Sequence, residues 1–134
     1  MIYLDSSALL KLVRWEIETD ALQAWLADRP DQPAATSELG RVEVLRAARR
    51  VGGRALAEAR ALVDDIDLVP LDRAVQDLAS EVGQATLRTL DALHLASALL
   101  LADVLSDFVA YDQRLLEAAH ALGLPARSPG SPTR

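Results

Sequence analysis

Four short strand-like runs are separated by segments of helical period, and this alternation restricts the fold more than any other feature. The runs are Met1-Ile2-Tyr3-Leu4 with Asp5 at its end, Ala34-Ala35-Thr36, Ile66 to Leu71, and Phe108 to Tyr111. Strands that return through helices run parallel, and a parallel sheet needs both faces covered. The chain therefore reads as α/β, a three-layer α/β/α sandwich around a central, mostly parallel sheet of four to five strands.

The intervening segments carry the expected punctuation. Ser6 and Ser7 read as caps of a helix from Ala8 to about Trp15, followed by a second from about Glu16 to Asp28, which Pro30-Asp31-Gln32-Pro33 ends. Thr36 or Ser37 caps a helix through about Val51, closed by Gly52-Gly53. Another helix runs to about Val63, and Asp72 caps one from Ala74 to about Leu87. The segment Asp91 to Ala102 is almost wholly apolar, so burial on most sides is expected. Gln113 to Leu122 is the last substantial helix, and a short edge strand after Pro125 is the fifth strand. With 134 residues there is room for one domain, placed at 1–127, and the Pro/Ser/Gly-rich tail 128–134 is expected to be disordered. Aromatic residues make up only 4% of the chain, so the core must be built from Leu, Val and Ala, with Trp15 and Trp25 expected in it.

There is no cysteine, which excludes disulfides, thiolate metal sites and cysteine nucleophiles. The start of the chain shows no leader, and the longest apolar stretch, Leu93 to Ala102, is too short for a bilayer. A cytoplasmic protein with no membrane association is the expectation. The net charge of −6 argues against a generic nucleic-acid binder, but its distribution is uneven. Six arginines lie between Arg41 and Arg60, against Glu43 and Glu58. Arg41, Arg46, Arg49 and Arg50 flank Glu43 and read either as a solvated helix face or as phosphate contacts.

Four acids stand out. Asp5 and Asp112 each end an apolar run, where sites assemble in open α/β sheets. Asp91 lies at the start of the apolar helix. Each of these three would also serve as a helix cap or first-turn acid, with no function implied. Glu43 has no such role. It lies inside its helix on the side of Leu39 and Ala47, where a carboxylate is costly to bury without a partner. If the four converge, they form a hard-oxygen cage suited to Mg²⁺ or Mn²⁺, and hence to phosphodiester hydrolysis. His94, one turn after Asp91, reads as a hydrogen-bonded core histidine.

The segments MIYLDSSALLKL, ATSELGRVEVLRAARR, LRTLDALHLASAL and FVAYDQRLLEAAHALGL occur in this order over most of the chain. Together they resemble a PIN domain, specifically the VapC ribonuclease toxins of VapBC toxin–antitoxin pairs. The resemblance implies Mg²⁺- or Mn²⁺-dependent endoribonuclease activity. It carries the acidic site onto Asp5, Glu43, Asp91 and Asp112, and a hydroxyl near the metal onto Ser6. It further implies a homodimer and a cognate VapB-type antitoxin, for which the helical hairpin bearing Trp15 and Trp25 is the candidate groove. One position departs from the family pattern: Ala110 stands where a hydroxyl residue is usual, two before the last acid. The alternative reading is a catalytically silent PIN-like module that only binds a partner.

Overall fold

Ile2–Leu4 forms strand β1, buried along its whole length. Successive strand side chains point to opposite faces. Ile2 and Leu4 enter an apolar cluster with Ala8, Leu9, Leu22, Val44, Val63 and Val109. Tyr3 enters the opposite cluster, with Leu95, Ala98, Phe108, Ala110, Leu115 and Ala119. A strand that is apolar on both faces belongs in the middle of a sheet, and β1 is the central strand of five.

The computed structural model describes residues 1–132. After β1 come α1 (Ser6–Lys11), α2 (Thr19–Ala27), β2 (Ala34–Ser37), α3 (Glu38–Val51), α4 (Ala55–Asp64), β3 (Asp67–Val69) and α5 (Arg73–Ala79). Then follow α6 (Thr89–Leu99), β4 (Asp107–Val109), α7 (Gln113–Ala121) and β5 (Ala126–Arg127). The sheet order is β3-β2-β1-β4-β5 and every pairing is parallel. β1 pairs with β4 in the register Tyr3 to Phe108 and Leu4 to Val109. This register stacks the Tyr3 and Phe108 rings, with centroids 5.3 Å apart. Side chains from α1 to α4 cover one face and side chains from α6 and α7 the other. Each fully buried leucine, such as Leu9 or Leu22, contributes roughly 1.5–3 kcal/mol.

Several boundaries differ from expectation. The cap of α1 is Asp5, whose carboxylate accepts the Ala8 N–H, so the helix begins at Ser6 rather than after the serines. It stops at Lys11, whose ammonium turns to Glu18 at 3.1 Å and Glu16 at 3.4 Å. α5 ends at Ala79, well short of Leu87, and Gly83 then turns the chain with φ +70°. Trp15 is 67% exposed, not in the core, because α1 has ended before it. Trp25 is half-buried and stacks on Arg29. Of the expected tail, Thr133 and Arg134 lie outside the described residues. Before them, the Tyr111 hydroxyl donates to the Pro129 carbonyl at 2.7 Å.

Candidate functional site

The chain lays β2 and β3 to one side of β1, then places β4 and β5 on the other. The connections leave the carboxyl ends of β1 and β4 in opposite directions, which opens a crevice between them. Asp5 follows β1 and Asp112 follows β4, so both aspartates border that crevice. α6 contributes Asp91 from its first turn, and α3 contributes Glu43.

Asp5 is the most enclosed of the four, at 3% exposure. Its Oδ1 accepts the Ser7 hydroxyl at 2.6 Å and the Ala8 N–H at 2.9 Å. Its Oδ2 makes no hydrogen bond among the described residues. Ser7 Oγ in turn accepts the Tyr111 N–H at 3.1 Å, which ties the end of β1 to the segment leading to Asp112. Asp112 caps α7 through Oδ1, accepting the N–H groups of Arg114 at 2.8 Å and Leu115 at 3.2 Å.

Glu43 turns inward. Its Oε1 accepts from His94 Nε2 at 2.6 Å, and its side chain is 26% exposed. The other ring nitrogen of His94, Nδ1, is 2.7 Å from the Tyr3 hydroxyl. His94 and Tyr3 are both buried, so a polar chain Tyr3–His94–Glu43 crosses the core to the crevice. His94 is therefore the hydrogen-bonded core histidine expected, and also a contact of the acidic site.

Two of the four acids are perturbed by their surroundings. Burial pushes the Asp5 carboxyl above the usual carboxylate range; the Glu43 charge adds to this, while His94, the Ser7 hydroxyl and the Ala8 N–H oppose it. Burial also raises Asp91, followed by the charge of Asp112 and, less strongly, Glu43; His94 and Arg88 oppose. Tyr3 is raised mainly by burial and remains a neutral phenol. Among the described residues no three Asp, Glu or His side chains stand close enough to enclose an ion as they are.

Other expected residues fall around this centre. Ser6 makes no side-chain hydrogen bond among the described residues, whereas Ser7 makes two. Arg46 and Arg50 are exposed and lie three and seven residues after Glu43, on its flank of α3. Arg41 and Arg49 project from other sides of that helix. Arg88 and Arg114, not singled out from the sequence, border a groove of about 700 Å³ that includes Asp91, Leu87, Glu117 and Leu122. Ser7, Tyr3 and these two arginines were the residues that sequence reasoning missed. A phenol within a fully apolar run was the one available signal, because a buried Tyr hydroxyl needs a partner.

Comparison with known proteins identifies the family. The PIN domain family model matches residues 2–121. Ribonuclease VapC47 of Mycobacterium tuberculosis is 47% identical over 134 residues, covering 98% of each chain. The solved structure of Mycobacterium tuberculosis VapC20, titled a sarcin-ricin loop cleaving toxin, is similar at TM-score 0.70 and 19% identity, over 92% of this chain and 96% of that one. VapBC-1 from nontypeable Haemophilus influenzae is similar at TM-score 0.64 and 13% identity, over 96% of this chain and 98% of that one. The two structural likenesses show a shared fold, and the sequence match shows more: this chain belongs to the PIN-domain family and, within it, to the VapC ribonucleases.

Proposed function

We propose that the chain is the endoribonuclease toxin of a type II toxin–antitoxin pair and hydrolyses RNA phosphodiester bonds with Mg²⁺ or Mn²⁺. The observation that carries this reading is the placement of the acids: Asp5 and Asp112 follow β1 and β4, the strands on either side of the crevice, and Glu43 and Asp91 come from α3 and α6, whose side chains meet through the Glu43–His94 bond. The donor set fits a hard divalent ion. It is all carboxylate, and two of its members are held above their ordinary pKa partly by neighbouring acids. Asp5, Asp91, Asp112 and Glu43 would hold the ion. When bound, it supplies Lewis acidity for activating water and offsets charge on the leaving oxygen.

The chain's own groups do the rest. Ser7 and the Ala8 N–H fix the rotamer of Asp5. His94 fixes Glu43. Arg46 and Arg50, with Arg88 and Arg114 at the Asp91 end, offer guanidinium groups to the RNA backbone, where each contact positions the strand. Arg41 and Arg49 are proposed as outer contacts of the same backbone.

A VapB-type antitoxin is the proposed partner, and VapBC-1 is a structural neighbour. Trp15 and Ile17, 67% and 85% exposed between α1 and α2, offer it an apolar surface. A homodimer and a cytoplasmic location complete the proposal. No helix of the described residues is long and apolar enough to cross a membrane. The test is cleavage of a structured RNA by purified protein. Activity with Mn²⁺ that EDTA and Asp91→Asn both abolish supports the reading. An inert wild-type protein, or an active Asp91→Asn variant, refutes it.

A further inference from the structure

A chain of buried polar groups stands behind Glu43. Glu43 comes from α3, and the group that holds it comes from α6, 51 positions away. Its carboxylate can only accept, so His94 Nε2 carries a proton whether the ring is neutral or charged. The bond is short, at 2.6 Å, and the ring that donates it is 2% exposed. On its other side Nδ1 meets the Tyr3 hydroxyl at 2.7 Å. Tyr3 is itself fixed, stacked on Phe108 and set edge-on to His94, with ring centroids 5.9 Å apart. Gly40, one turn before Glu43, lets α3 approach this ring: a Cβ there would stand 3.4 Å from His94 Cε1. Each link is therefore locked by packing, and the chain ends on a side chain that otherwise has three free torsions.

We infer that His94 is a positioning residue for Glu43, with Tyr3 as its anchor, and that the pair presents the free Glu43 oxygen to the divalent ion of the acidic site. This rests on the ribonuclease reading above. Hydrogen-bonded partners of metal ligands cost affinity or activity when removed, by about 10- to 100-fold. His94 touches neither RNA nor reacting atoms in this scheme. Its removal should lower Mn²⁺ affinity and kcat while leaving KM for RNA unchanged.

The experiment uses His94→Ala, His94→Gln and Tyr3→Phe, with Mn²⁺ titrated into metal-free protein by calorimetry and kcat and KM measured separately. Gln keeps an N–H donor directed toward Glu43, so it should recover most of the affinity that His94→Ala loses. Tyr3→Phe keeps the ring stacking, which guards against a variant that fails to fold, and should weaken Mn²⁺ binding about fivefold, the worth of one hydrogen bond. Folded His94→Ala and Tyr3→Phe proteins that bind Mn²⁺ like wild type would overturn the inference. So would a His94→Gln protein no better than His94→Ala. Wild-type protein that neither binds Mn²⁺ nor cuts RNA would overturn the site reading and this inference with it; active wild type with unaffected variants overturns the inference alone.

Discussion

Ser7 donates its hydroxyl to Asp5 at 2.6 Å while accepting the Tyr111 N–H at 3.1 Å. One side chain thus joins the ends of β1 and β4 and orients the most enclosed acid of the site. Ser7→Ala removes both bonds and leaves a buried carboxylate short of a donor. Stability should fall by about 1–3 kcal/mol, as for other unmet buried polar groups. Ser6→Ala, lacking such bonds, should stay within about 0.5 kcal/mol. Urea denaturation of both variants distinguishes the two serines.

The raised carboxyls make stability depend on pH in a defined direction. Asp5 and Asp91 hold protons in the folded protein at pH values where the unfolded chain has released them. Their contribution is complete below the ordinary carboxylate pKa of about 4 and is lost as pH rises through the folded values. Asp5→Asn should flatten that part of the profile, and metal-free Asp5→Asn should melt at or above the wild-type temperature near neutral pH. Melting curves of the metal-free proteins from about pH 4 to 8 would show it. Added Mn²⁺ should raise the wild-type Tm and leave Asp5→Asn nearly unchanged.

Gly40 offers a steric prediction. A Cβ at this position would collide with the Thr36 hydroxyl, which is buried without a hydrogen-bond partner among the described residues. Gly40→Ala should therefore cost about 1–3 kcal/mol through overpacking, despite the better helix propensity of alanine. Denaturant midpoints give the number, and a stabilised variant would show that α3 can shift away from β2.

The arginines divide by position. Arg46 and Arg50 share the flank of Glu43, and Arg88 and Arg114 border the groove at Asp91. Alanine at each should weaken RNA binding and lower the salt slope by roughly one unit per phosphate contact. Arg41→Ala and Arg49→Ala should have smaller effects. Fluorescence anisotropy with RNA across a salt series ranks the six.

Much of this was legible because periodicity is local. The apolar runs ending at Asp5 and Asp112 read as strands, and the all-parallel sheet followed from helices between them. Glu43 was conspicuous as a carboxylate on the apolar side of its helix. What could not be read is what long-range geometry decides. Nothing local pairs Glu43 with His94, or tells Ser7 from Ser6 as the partner of Asp5. The cap of α1 is ambiguous in sequence because Asp5, Ser6 and Ser7 are all good capping residues, and the extended backbone of Asp5 decides among them. The size of Trp15 argues for the core, yet the early end of α1 leaves it outside.

Anomalous diffraction from crystals grown with Mn²⁺ asks most directly whether acids from four separate segments share one divalent ion. The expected result is a manganese peak in the crevice beyond β1 and β4, ligated by Asp5 and Asp91, with Glu43 and Asp112 turned toward it and His94 still bonded to Glu43. Saturated crystals with no peak there, or with manganese only at carboxylates elsewhere on the surface, would contradict it.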